Sequence, residues 1–147
     1  MVDLRGGREG FDVLGFHSRA RMSGRLWEQR HVIRYHLHRW PSVRSMKRAR
    51  GRIAALTSRK MVGWDLKALI ERLNRFLRGW GHYFRTGNSA DTFVTVDRYV
   101  AWRLKRLLIK KRGRNLRSGQ ARRWHHKWFH EQGLHKLSGT IRYPKAA

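Results

Sequence analysis

The 147 residues include 35 Lys and Arg against nine Asp and Glu, a formal charge of +26, and 40% are hydrophobic, with seven Trp. Without any cysteine, a disulfide scaffold, a thiolate zinc site and a cysteine nucleophile are excluded. No apolar run approaches the roughly 18–20 residues of a membrane span and no signal-peptide core opens the chain, so a soluble, cytoplasmic domain with a polyanionic partner, nucleic acid first, is expected.

Residues 1–40 hold eight basic and four acidic residues, whereas residues 41–147 hold 27 and five. In the first part, Phe11 to Phe16 is a compact apolar run, and residues 31–37 partly alternate; both are expected to be β structure. Trp40-Pro41-Ser42 breaks that pattern, because a residue before proline is biased away from helix and Ser42 is a natural N-cap.

Four helical segments are expected to follow. Over 43–58, Met46, Ala49, Ile53 and Leu56 form an apolar stripe, while Arg44, Arg48 and Arg52 recur every fourth residue on another face. Residues 65–85 divide most cleanly. Leu66, Leu69, Ile70, Leu73, Leu77, Trp80 and Phe84 share one face; Lys67, Glu71, Arg75, Arg78, His82 and Arg85 share the other, and Asp65 is placed to cap the start. Over 91–112, Phe93, Val96, Val100, Leu104 and Leu107 should point inward and Arg103, Arg106 and Lys110 outward, with Gly113 as the stop. A shorter helix is expected over 119–131, with Trp124 and Trp128 one turn apart, and then an extended tail at 140–144. Between Asp97 and Glu131 lie twelve Lys and Arg and no acid; Trp102, Leu104, Leu107, Leu108, Trp124, Trp128 and Phe129 interrupt the run at core-like spacings, which argues for folding rather than disorder.

Little here supports catalysis. A two-metal phosphoryl-transfer site needs clustered carboxylates, but the nine acids are scattered singly. His126 and His130 have the spacing of a helical metal pair, yet no Glu stands between them as H-E-x-x-H requires, and no phosphate-binding G-x-x-x-x-G-K-[ST] loop occurs. No catalytic residue, metal or cofactor is therefore assigned. Nucleic-acid binding fits better, since each Lys or Arg seated on a phosphate releases counterions and guanidinium groups can also stack on exposed bases. The residues assigned to that contact are Arg44, Arg48, Arg52, Arg75, Arg78, His82, Arg85, Arg103, Arg106, Lys110, Lys111, Arg112, Arg122 and Arg123.

Residues 69–88 read Leu-Ile-Glu-Arg-Leu-Asn-Arg-Phe-Leu-Arg-Gly-Trp-Gly-His-Tyr-Phe-Arg-Thr-Gly-Asn. This resembles the L-N-x-x-L-R-G-W-x-x-Y-F hallmark of the maturase-specific domain, or thumb, of group II intron reverse transcriptase/maturases. Phe11-Asp12-Val13-Leu14-Gly15-Phe16 is similar to the F-x-F-L-G-F motif at the end of that family's palm, and Trp40-Pro41-Ser42 through Thr57 to its first thumb helix. Gly119-Gln120-Ala121 with Trp124, and Leu137 through Tyr143, are similar to its C-terminal region.

The resemblance implies a mainly α protein: a remnant of the palm end over 1–40 (β-rich), a helical thumb-like bundle over 41–115 and a basic extension over 116–147. It further implies a grip on group II intron RNA, or on an RNA–DNA hybrid, that assists splicing. Arg75, Arg78, His82 and Arg85 would meet RNA backbone, while Trp80, Tyr83 and Phe84 would fix the hallmark helix to its neighbours. The Y-A-D-D motif of the family's polymerase palm is absent, so polymerase activity is not carried over. Three alternatives stay open: a general basic binder of DNA or ribosomal RNA, a thumb acting in trans with a separate fingers–palm reverse transcriptase polypeptide, and an inactive truncated remnant of a mobile element. Gly79 and Gly81, each costing ~1 kcal/mol inside a helix, imply close approach of a second backbone or of a phosphate.

Overall fold

Leu14 and Gly15 turn the first apolar run back on itself. Both have positive φ, 50° and 82°, the pairing that lets a two-residue loop join twisted antiparallel strands. The run is therefore a hairpin, β1 (Gly10–Val13) against β2 (Phe16–Met22), in a computed structural model that describes residues 9–144. Strand β3 (Tyr35–Pro41) pairs with the other side of β2, Met22 opposite Tyr35 and Phe16 opposite Pro41, to complete a sheet in the order β1-β2-β3. Pro41, lacking an N–H, ends an edge strand, where it breaks no ladder.

The strand expected over 31–37 is thus displaced toward the C-terminus. Before it stands a short helix, α1 (Gly24–Arg30), capped by Ser23 and closed by left-handed His31 at φ 50°. Periodicity missed α1 because periodicity reports a buried face, and none of its residues is buried.

The next three helices match the expected pattern closely: α2 (Val43–Leu56), α3 (Leu66–Phe84) and α4 (Ala90–Arg112). Ser42 and Asp65 cap α2 and α3 by accepting bonds from the Ser45 and Lys67 amides, and Gly113 ends α4 at φ 51°. The fold is mainly α. The apolar stripes meet in one cluster built on Ile53, Leu73, Leu77, Phe93, Val100 and Leu104, joined by Phe16 from the sheet and by Trp124, Phe129, Leu134 and Leu137 from the C-terminal part. Burying each such aliphatic side chain contributes ~1.5–3 kcal/mol.

The helix expected over 119–131 is broken in two. Gln120–Arg123 forms a 3-10 turn, Trp124 leaves helical geometry, and α5 (His126–Glu131) starts afresh with the His125 side chain accepting from the Trp128 amide. The break buries Trp124 and Phe129 together, five positions apart, which one continuous helix would set on different faces. Trp102, expected in the core, is 47% exposed and lies between Tyr99 and the Arg106 guanidinium.

The sheet is fastened to the helices by polar contacts. Ser42 N and Ser45 Oγ both donate to Gly15 O at 2.8 Å, Asn88 N donates to Arg39 O at 2.6 Å, and the Tyr83 hydroxyl donates to Leu14 O at 2.7 Å. Phe84 packs its ring 4.8 Å from Phe16 of β2 and Trp80 packs 5.6 Å from Phe93 of α4, so these aromatics of α3 join that helix to its neighbours.

The two hallmark glycines have different surroundings. A Cβ on Gly81 would lie 2.5 Å from Leu137 Cδ2, whereas one on Gly79 would meet nothing within 4 Å. Gly79→Ala is therefore expected to raise stability by up to ~1 kcal/mol and Gly81→Ala to lower it by ~1–2 kcal/mol, as measured by urea unfolding. Equal shifts in the two variants would contradict this packing.

Candidate nucleic-acid interface

Three of the acids are used elsewhere, and the exposed Glu71, Asp91 and Glu131 on the helices form no ion pair among the described residues. Asp12 pairs with His17, Asp65 caps α3, and Asp97 is buried under the C-terminal segment. Among the described residues, none of the Arg and Lys assigned to the helical rows forms an ion pair with a carboxylate. Cations left in this state produce a surface field of one sign, which attracts a polyanion and is screened by salt.

Arg44, Arg48 and Arg52 line the exposed side of α2. Arg75, Arg78 and His82 are exposed along α3, and Arg85, just beyond its end, is half-buried. At the far end of α4, Arg106 and Lys110 gather with Arg59 around a shallow cavity. Lys111, Arg112 and Arg123 converge on a second one, where Arg123 lies over the Trp124 ring at 5.8 Å; Arg122 is exposed nearby in sequence. Lys111 is tethered there by its Nζ, which donates to Trp64 O at 2.7 Å.

Arg103 does not belong to an outward row. Its guanidinium donates to Thr57 Oγ1, Ala54 O and Thr57 O at 3.0–3.2 Å, so it caps the end of α2. The carbonyls at a helix C-terminus lack intrahelical donors and attract a cation, which turns this side chain inward although its helical spacing points out.

Other basic groups were not legible as site residues. Alternation along β2 and β3 puts Arg21, His36, His38 and Trp40 on one face of the sheet, with Arg21 over the Trp40 ring at 5.1 Å. Burial first, then the charge of Arg21, pushes the His38 pKa below its ordinary value. In the C-terminal segment, His135 and Arg142 come to lie beside Arg78, His82 and Arg85. The His135 pKa is likewise lowered, by burial and then by Arg78, against a smaller opposing effect of Asp97. Period-2 alternation over 35–41 was the available signal for the sheet face. The C-terminal grouping had none, because buried Asn74 and Asp97 set it from a distance.

The described residues contain no group of three or more His, Asp or Glu placed to hold a metal ion, and no helix long and apolar enough to cross a membrane. No curated protein matches the chain. The model of the group II intron maturase-specific domain matches residues 46–128, from α2 to within α5. That span is more than half of the chain and contains the Leu73-to-Phe84 hallmark on α3; the chain belongs to the group II intron maturase-specific domain family.

Proposed function

We propose that this chain is an RNA-binding module that grips group II intron RNA, or the RNA–DNA hybrid of a template and primer, and assists splicing in the cytoplasm without chemistry of its own. The observation that carries the reading is the set of exposed guanidinium and ammonium groups on α2, α3 and the end of α4 that have no carboxylate partner. Each one seated on a phosphate contributes about 0.7–0.9 to the slope of log affinity against log salt. Titration of the chain with folded intron RNA and with duplex DNA of equal length, over a salt series, tests it. The RNA is expected to bind at least tenfold more tightly, with a slope corresponding to several phosphates. Equal affinities would leave a general basic binder, and no binding an inactive remnant.

A second reading rests on the sheet. Leu14, Ile33 and Leu37 are 81%, 59% and 55% exposed, with Val13, Trp27 and Tyr35 also in solvent, an apolar surface of the kind a partner covers. On this reading the chain serves as the thumb for a separate fingers–palm polypeptide. In the same series, primer extension with Mg²⁺ should then appear only when that polypeptide is added, and Leu37→Asp should abolish it; no extension with the wild-type pair rejects the trans arrangement.

A further inference from the structure

The C-terminal segment, outside the residues matched to the family, folds back over the hallmark helix and closes a cleft of about 360 Å³ between them. Arg78, His82 and Arg85 line one side and His135, Gly139 and Arg142 the other; no carboxylate lines it. The backbone draws the arginines together, since Arg142 N donates to Arg85 O at 2.9 Å. Like charges assembled in a concavity repel one another, and a bound anion relieves that repulsion.

The wall opposite α3 is held in place before any ligand arrives. Asn74 Oδ1 accepts from His135 N at 2.7 Å, and its Nδ2 donates to Gly133 O at 2.8 Å. Asp97 accepts from the Leu137 and Ser138 amides at 3.0 and 2.9 Å. Leu137 sits against Gly81, so the segment approaches α3 as closely as a missing Cβ allows. Thr140 also lines the cleft, but its hydroxyl donates to Leu137 O at 2.7 Å and so shapes the wall instead of serving a ligand.

We infer that this cleft is a seat for a single phosphate group, held by the Arg78, Arg85 and Arg142 guanidinium groups in a preformed pocket. The inference rests on the RNA-binding reading for its natural ligand, and deepens it: the open rows on the helices contact phosphates loosely, while this cleft grips one. The phosphate is either a backbone diester or a terminal monoester of the bound strand. Planar guanidinium forks suit both, because each can make paired bonds to two phosphate oxygens.

The test uses the whole chain and inorganic phosphate as probe, read by amide chemical shifts. Saturable shifts confined to His135, Gly139 and the end of α3 are expected. Arg142→Gln, an exposed side chain whose backbone bond survives the change, should weaken that binding at least fivefold. Arg50→Gln, exposed on α2 and outside the cleft, should leave it unchanged. Shifts spread over all basic faces, or equal losses in both variants, would overturn the seat. A short oligoribonucleotide with a 5′-phosphate is then compared with its 5′-hydroxyl form. Tighter binding of the phosphorylated strand assigns a terminal monoester; equal binding that still falls in Arg142→Gln assigns a backbone diester; indifference of both strands to Arg142→Gln overturns the seat. Intron RNA affinity is measured separately, so loss of the seat with RNA binding retained sinks this inference alone.

Discussion

Changing Arg75 and Arg78 together to Glu is expected to weaken binding of structured RNA at least tenfold, about 1.4 kcal/mol, and to leave helicity unchanged. Both side chains are exposed on α3 and neither forms an ion pair or a hydrogen bond within the chain, so the fold loses no polar bond with them. The RNA, in contrast, loses two cations and gains two anions on one helix face. If both contact phosphate, the slope of log affinity against log salt should become shallower by about 1.5. Filter binding over a salt series, with far-UV circular dichroism as the folding control, checks both parts. Wild-type affinity in the double variant would remove α3 from the interface, whatever the other rows do.

Asp97→Ala is expected to cost about 3 kcal/mol and to release the C-terminal segment. Asp97 is 7% exposed, and its carboxylate accepts from the Leu137 amide, the Ser138 amide and the Ser138 hydroxyl. Hydrogen bonds to a charged acceptor each contribute about 1.5–3 kcal/mol, and truncation also leaves buried donors unpaired. The loss should be seen in urea unfolding and as faster hydrogen exchange at the Leu137 and Ser138 amides, while α2 and the first turns of α3 keep their protection. Asp97→Asn, which keeps one acceptor oxygen, should fall between alanine and wild type. Unchanged exchange at residues 137 and 138 in the alanine variant would show that the Asn74 bonds and the packing of Leu137 hold the segment down without Asp97. Because the same segment supplies His135 and Arg142, this variant should also lose the phosphate seat while the exposed row of α3 remains.

Three helices could be read from the residues because each buries a continuous stripe. Leu69, Ile70, Leu73, Leu77 and Phe84 recur at the helical period and are all buried, so spacing and burial report the same fact. The caps were legible for a related reason: Ser42 and Asp65 bond to amides two or three positions away, and such bonds depend only on local sequence. The hallmark block, too, lies within one helix and could be identified whole.

What local pattern could not decide was where a side chain goes once two distant segments meet. Arg103 has the spacing of an outward residue, yet the unsatisfied carbonyls ending α2 claim it. Gly79 and Gly81 are alike in sequence, but only Gly81 has Leu137 against it. Asn74 and Asp97 read as single polar residues in helices, and they became the anchors of the C-terminal segment because backbone donors some 40–61 positions away reach them. The residues alone thus determined a mainly helical, strongly basic protein carrying the maturase hallmark, since those properties are local or additive. The tertiary structure decided which cations stay in solvent, which serve as caps and which surround a cleft, since that depends on the long-range contacts each group finds when the chain closes.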